Sequence, residues 1–413
     1  MTPYLDDLET RPPAVRERQL FNALPDQIAN AQQNAPYFTK LLAGVAAHTI
    51  TDRAALARLP VTRKSDLIEL QKVAPPFGGL TAVKTSRLGH VFSSPGPIYD
   101  PQGDTGDYFG FARALYAAGF RQGELVHNTF SYHFTPAGLM MDLAAQALGC
   151  PVFPAGTGQT DMQVQAIADL KPVCYVGTPS FLKIILEKAD ELKADVSSIT
   201  KALVSGEAFL PPTRKLLAER GIAGFQAYGT ADLGLIAYES EGREGLIVDE
   251  GVIVEIVRPG TGDPVAPGEV GEVVVTTLTS EYPLIRFATG DLSAVLDGIS
   301  PCGRTNMRIK GWMGRADQTT KVKGMFVHPS QIDQVVKRHP EIRRARLTVT
   351  HDAERNDIMS LAVEVDGAAP DGLTAAVAAS LHDISKLRGD VTLAATGSLP
   401  NDGKVIEDLR EYD

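Results

Sequence analysis

Four short segments set charged side chains beside glycine: Tyr228-Gly229-Thr230-Ala231-Asp232, Thr289-Gly290-Asp291, Met313-Gly314-Arg315-Ala316-Asp317 and Asn401-Asp402-Gly403-Lys404. Carboxylate, guanidinium and ammonium groups on such turns could bind a ligand or stabilise developing charge. Taken singly, each reads more simply. Gly290-Asp291 is a turn after the apolar run YPLIRF, the stretch 313–333 is a hairpin, Lys323-Gly324 is a turn, and Lys404 is a solvated turn residue. Tyr228, alone, is a core aromatic. The three cysteines, Cys150, Cys174 and Cys302, are odd in number and lack CxxC spacing, so they offer neither a disulfide framework nor a four-thiolate zinc site.

These groups need a scaffold, and 413 residues allow two or three domains, with two as the first expectation. A hydrophobic fraction of 44% and a charged fraction of 22% fit a globular chain that buries a sizeable core. A formal charge of -10 argues against nucleic acid as a partner. The opening MTPYLDDLETRPP lacks the basic end and apolar stretch of a signal peptide, and no run reaches membrane-spanning length. The expectation is a cytoplasmic protein without a membrane partner.

The pattern is helical over Ala14–Leu42 and Arg63–Val73. Between residues 123 and 192, short apolar runs alternate with amphipathic ones, GELVHNTF, GLMMDLAAQALG, CPVFPAG, DMQVQAIADL, PVCYVGTP and FLKIILEKADEL. This order predicts an α/β layer on a largely parallel sheet. After Gly221, stretches such as GVIVEIV and GEVVVTTL, separated by Gly/Pro turns, predict a β-rich subdomain over about 221–316 with antiparallel strands. From about Gln318 the order becomes α, β, β, α, β: Ser330 would cap a helix through Ile332, Val335 and Val336, and a few helices would cover an antiparallel sheet. The fold class is therefore α/β, with a large N-terminal domain over 1–316 and a small C-terminal α+β domain over 317–413.

In this order, and together with NAPYFTKLLAG (34–44), LPVTRKSDL (59–67), VSGEAF (204–209) and GEVVVTTLTSEYPLIRFATGD (271–291), the four segments resemble the adenylate-forming superfamily, specifically its phenylacetate-CoA ligase branch. Several ordered motifs are far more specific than any one of them. The resemblance implies an AMP-forming acid:CoA ligase. A carboxylic acid, aryl or arylacetic by the aromatic lining below, attacks the α-phosphate of ATP to give an acyl-adenylate, and the CoA thiol then displaces AMP. It further implies that Asp291 binds both ribose hydroxyls and that Arg315 lies near sugar and phosphate. Gly206, Glu207, Ala208, Gln226, Ala227, Tyr228, Gly229 and Thr230 would form the adenine pocket, and Ser93 and Ser94 would belong to the phosphate loop. Lys404 would be the catalytic lysine and Asp317 the hinge about which the small domain rotates between half-reactions. Lys323 and Gly324 would then enter beside the CoA pantetheine, and Tyr132, His133 and Phe134 would line the acid pocket. The other reading of those three is core packing. A homodimer is compatible with this reading.

The chain also departs from the family pattern. The phosphate loop, usually Ser-Ser-Gly-Thr-Thr-Gly-Lys-Pro, becomes Ser93-Ser94-Pro95-Gly96-Pro97-Ile98-Tyr99-Asp100, in which two prolines lack amide donors and Asp100 would repel a triphosphate. The hydroxyl-plus-glutamate pair becomes Ala231-Asp232, and Asp232 remains a hard oxygen ligand suited to Mg²⁺. Tyr238 and Ser240 stand where zinc-binding relatives place cysteines. Two alternatives follow: an adenylating enzyme with an acceptor other than CoA, or a nucleotide-binding relative with impaired ATP chemistry.

Overall fold

The computed structural model describes residues 3–94, 98–314, 316, 320–323, 325–327, 329–352, 356–367, 369–400 and 404–410. The chain divides into two compact units: residues 1–255, 274–288 and 295–312 form the first, and residues 256–273, 289–294 and 313–413 the second.

The first unit is organised by a nine-stranded sheet. Its strands Val152–Pro154, Val126–Asn128, Cys174–Gly177, Lys201–Val204 and Ala223–Thr230 lie side by side and parallel. The apolar runs of the sequence supply them because a sheet covered by helices on both sides needs apolar residues on both faces. Successive strand residues point to opposite faces. Accordingly Cys174, Val176 and Leu203 join one core with Leu115, Met140 and Met141 from the helices Phe111–Ala117 and Ala137–Ala147. Tyr175, Ala202 and Val204 join another with Ile167, Leu182 and Leu186 from the helices Thr160–Leu170 and Pro179–Leu192. The last of these helices starts where its sequence says it should: Thr178 accepts a hydrogen bond from Phe181 N, and Pro179 occupies the first helical turn.

Part of the β-rich stretch continues this same sheet. Ala223–Thr230 pairs antiparallel with Gly234–Tyr238, which pairs antiparallel with Leu246–Val248 and, through it, Arg308–Ile309. In the strands Val252–Val257 and Gly271–Thr277 every residue is buried, Glu255 and Glu272 included, so their period-two character does not mark a solvated face. The N-terminal helix Pro13–Asn34 is followed by Pro36–Leu41, the short helix Arg53–Ala57 and the strand Thr62–Arg63, which pairs parallel with Phe287 and Ala288. That pairing fixes Lys64, the next residue.

In the second unit, Ile342–His351 pairs antiparallel with Asp357–Val365, but the flanking strands Ile406–Asp408 and Asp390–Ala394 run parallel to their neighbours. The expected antiparallel sheet is thus mixed. Its helix Leu373–Ser385 is a crossover that returns the chain to the same end of the sheet, which produces parallel pairing. The first helix spans Pro329–Arg338, so Ser330 lies inside its first turn rather than capping it. Ile332, Val335, Leu347, Leu361, Val377 and Leu381 form the core.

Candidate functional site

The stretch that replaces the phosphate loop is a β-hairpin, His90–Ser94 against Ile98–Gln102, with Phe92 opposite Asp100, Ser93 opposite Tyr99 and Ser94 opposite Ile98. Buried Gln71 holds the outer strand through its side-chain amide, which donates to Tyr99 O and accepts from Tyr99 N, both at 2.8 Å. On the inner side, Ser93 N donates to Phe134 O at 2.9 Å. This bond joins the hairpin to the loop expected to line the acid pocket.

Within that loop His133 and Phe134 are exposed, Phe134 at 70%, and Tyr132 is partly so at 36%, which removes the core-packing reading. The Tyr132 hydroxyl accepts from Asn128 Nδ2 at 2.7 Å and donates to Asp142 Oδ2 at 2.8 Å. Burial, then the Asp142 hydrogen bond and charge, drive its ionisation far above the ordinary tyrosine range, so it stays a neutral donor. The rings of His133 and Phe134 meet edge to face with centroids 4.6 Å apart. Phe134 holds a left-handed φ of 63°, a conformation that costs a non-glycine residue energy and that packing must compensate.

Asp100 does not line the loop as a repelling charge. It is fully buried, with the side chains of Ser94 and Asp232 beside it. Burial, followed by the nearby charge of Asp232, pushes its pKa up to about 8, with Lys64 opposing. Asp100 therefore carries a proton at neutral pH when nothing else compensates it. Lys64 Nζ donates to Asp232 Oδ2, whereas Asp232 Oδ1 is buried without a partner. Sequence reading reached Asp232 as a metal ligand but missed Lys64 and Asp100 as its neighbours. Nothing in spacing links residues 64, 100 and 232.

The residues expected around adenine converge in the first unit. Gly206 has φ +84°, which favours glycine, and Glu207 Oε1 accepts from Ser180 N at 2.6 Å. Gln226, Ala227, Tyr228, Gly229 and Thr230 follow one another along the strand where the sheet changes from parallel to antiparallel. A Cβ on Gly229 would lie 2.5 Å from Gly234 O and 2.7 Å from the Phe111 ring, so only glycine fits there. Thr230 Oγ1 accepts from Leu233 N at 3.2 Å and shapes the turn that carries Asp232. Ala208 and Gln226 line a cleft of ≈ 870 Å³ together with Arg214, Glu239, Arg243 and Trp312, none of which the sequence had singled out. Glu239 organises one wall by accepting from Arg214 NH1 at 2.9 Å and from Gln226 N at 2.9 Å. Near Tyr238, the Cys302 thiol accepts from Ser240 Oγ at 3.2 Å and Arg304 NH1 at 3.5 Å.

In the second unit two of the separated motifs meet. Ala316 N donates to Gly290 O at 2.7 Å, Leu292 N to Gly314 O and Met313 N to Leu292 O, so the segment after residue 312 runs beside the segment of Asp291. Asp291 is buried and its amide donates to Thr289 Oγ1 at 3.1 Å. Arg315, Asp317 and Gly324 lie outside the described residues. Lys323 adopts φ +47°, and its amide donates to Asp357 Oδ2 at 2.6 Å beside a cleft of ≈ 760 Å³ that His382 and Arg388 also line. Lys404 is exposed, and its Nζ reaches Glu407 Oε1 at 2.9 Å.

The parallel part of the sheet, covered by helices on both faces, carries the Gly206-Glu207-Ala208 turn beside the strand of Gln226 to Thr230. Residues 110–279 match the model of the AMP-binding enzyme family. The chain is 32% identical to the phenylacetate-coenzyme A ligase of Thermus thermophilus over 82% of its own length and 79% of that protein's. It is 31% identical to the Escherichia coli phenylacetate-coenzyme A ligase over 80% and 78%. Among solved structures, 2-hydroxyisobutyryl-CoA ligase in complex with 2-HIB-AMP and CoA, in its thioesterification state, superposes with TM-score 0.72 at 25% identity, covering 99% of this chain and 93% of the other. The chain belongs to the phenylacetate-CoA ligase family of adenylate-forming enzymes. Among the described residues no helix is long and apolar enough to cross a membrane.

Proposed function

We propose that this adenylate-forming CoA ligase activates an aryl or arylacetic acid, with Tyr132, His133 and Phe134 holding the ring. The observation that carries the substrate reading is the bond from Ser93 N to Phe134 O, because it sets an exposed aromatic loop against the hairpin that stands in place of the phosphate loop. A carboxylate projecting from a ring on that loop would be presented to the α-phosphate, and such positioning supplies much of the rate of phosphoryl and nucleotidyl transfer. Asp291 would hold the ribose, and Gly206 to Ala208 with Gln226 to Thr230 the adenine. Lys404 would meet the negative charge that converges in adenylation once residues 317–413 rotate about Asp317. Lys323 and Gly324 would face the CoA arm in the second half-reaction.

Magnesium fits the donor set, since Asp232 Oδ1 is an anionic oxygen buried without a partner. When bound, the ion would neutralise charge on the phosphates. The chain's own residues orient the acid, exclude water and supply the lysine.

A pyrophosphate-release screen over aryl, arylacetic and short aliphatic acids, with and without CoA, tests the reading. Acid-dependent release that falls by orders of magnitude in Lys404→Ala supports it; an unchanged rate in that variant sinks it. Release that ignores free CoA would move the acceptor to an amine or a carrier-protein thiol. Tight AMP binding without ATP turnover would instead mark a relative with impaired ATP chemistry, a reading that the two prolines of the rewritten loop favour.

A further inference from the structure

The cleft of ≈ 870 Å³ extends well beyond the residues expected around adenine. Of those residues only Ala208 and Gln226 line it, and from Gln226 its lining runs back through Gly224 and Ala223 to Gly221, where the strand Ala223–Thr230 begins. Gly224 precedes Tyr228 by about 13 Å of extended chain. The cleft therefore follows the strand away from the end that carries Tyr228, Gly229 and Thr230.

Its charges suit an anion. Three cations, Arg214, Arg243 and Lys310, line it with one carboxylate, Glu239, which is 5% exposed. That carboxylate is already engaged: Arg214 Nη1 donates to its two oxygens at 3.0 and 2.9 Å, and Arg243 Nη1 to Oε2 at 3.4 Å. Burial and the neighbouring Arg214 charge lower the pKa of Arg243, as expected of two guanidiniums that share one carboxylate. Each guanidinium is seated over a ring, Arg214 at 4.1 Å from the Phe209 centroid and Arg243 at 3.8 Å from that of Phe225. Arg214 Nη2, Arg243 Nη2 and Lys310 Nζ donate to nothing among the described residues.

The cleft thus holds a surplus of two positive charges. A phosphate monoester, with a charge of about −1.5 to −2 and three acceptor oxygens, matches that surplus, whereas a carboxylate leaves one cation over. Trp312, 50% exposed in the same cleft, offers a face on which a base can stack.

We propose that this cleft is a second phosphate site, apart from the catalytic one, which takes a nucleoside bearing a phosphate monoester. Arg214, Arg243 and Lys310 hold the phosphate, and Trp312 the base. A free nucleotide such as AMP and the 3′ end of CoA both carry this chemistry. Glu239 links the site to the adenine strand, because it also accepts from Gln226 N at 2.9 Å. Neither the reading of the acid nor that of Asp291 is needed for it.

Trp312 is the single tryptophan of the chain, so its fluorescence reports on the cleft. The full-length protein is titrated with AMP, CoA and dephospho-CoA in turn. A saturable change in emission with AMP or CoA is expected, weakened about ten-fold in Arg243→Gln and in Lys310→Gln and retained in Asp291→Ala. A response to CoA that dephospho-CoA lacks assigns the 3′ end of CoA, and a response to AMP alone assigns a free nucleotide. No saturable response, or equal affinity in wild type and both cleft variants, overturns the inference. So does a response that Asp291→Ala abolishes and both cleft variants keep, an outcome that leaves the ribose role of Asp291 standing. Thermal melting checks that each variant folds, and Lys310→Gln, at an exposed position, decides should Arg243→Gln fail to.

Discussion

Two buried clusters of charge in the first unit are built on opposite principles. Arg286, 2% exposed, gives Nε and NH2 to Glu255 at 3.0 and 3.1 Å and NH1 to Ala57 O at 2.8 Å and to Leu59 O. Its guanidinium ties the N-terminal segment to the strand that follows, and each contact is made within the protein. Asp100 and Asp232 are buried too, but Lys64 is 27% exposed, and Asp232 Oδ1 remains without a partner. A saturated pair is architecture, because nothing more can be added to it. An unsaturated one is prepared for a ligand, at a cost the rest of the fold absorbs.

Substitutions can break this contrast. Arg286→Met should be the most damaging, lowering unfolding free energy in a denaturant titration by about 3–5 kcal/mol, because Glu255 keeps a buried charge without its partner. A loss well under that would place the pair with ordinary surface bridges. Lys64→Met should cost less, about 1–3 kcal/mol in the metal-free protein, since Asp232 loses its donor. Added Mn²⁺ should recover part of that loss and recover nothing in Arg286→Met.

Asp100→Asn gives the sharpest distinction, because it shows mainly in the pH profile. The folded carboxyl is raised to about 8 from its ordinary value near 3.8, so the folded state holds a proton that the unfolded chain releases across that interval. Stability of the chelator-treated wild type should therefore fall as pH rises from about 4 to about 8. Asp100→Asn should flatten that slope without lowering the plateau in acid. A parallel profile in wild type and variant would mean that the carboxyl is compensated after all.

The parallel layer was legible in the sequence because strands covered on both faces, such as 174–177 and 201–204, must be apolar throughout, and helices with Thr178-Pro179 at the start announce themselves. The mixed sheet of the second unit was not, because strand residues look the same whether their neighbour runs parallel or antiparallel; only the path through Leu373–Ser385 decides. The adenosine-side residues were legible through ordered motifs, and Gly229 shows the physical reason behind one of them. The exposure of Phe134 was hidden, since an aromatic triplet in an apolar context reads equally as core. Most hidden was the meeting of Lys64, Asp100 and Asp232: each sits on a different element, and the parallel pairing of Thr62 with Phe287 and the hairpin register bring them together.

The hairpin has one more consequence, for protein engineering. Its ladder is paired from His90–Gln102 to Ser94–Ile98 and is clamped from outside by Gln71, so register is fixed before the chain reaches the three residues that join its strands. Such a ladder is a socket. A longer glycine- and threonine-rich connection could be grafted between Ser94 and Ile98 at a closure cost of only about 0.6 kcal/mol for each doubling of length, leaving Asp100 in place beneath it.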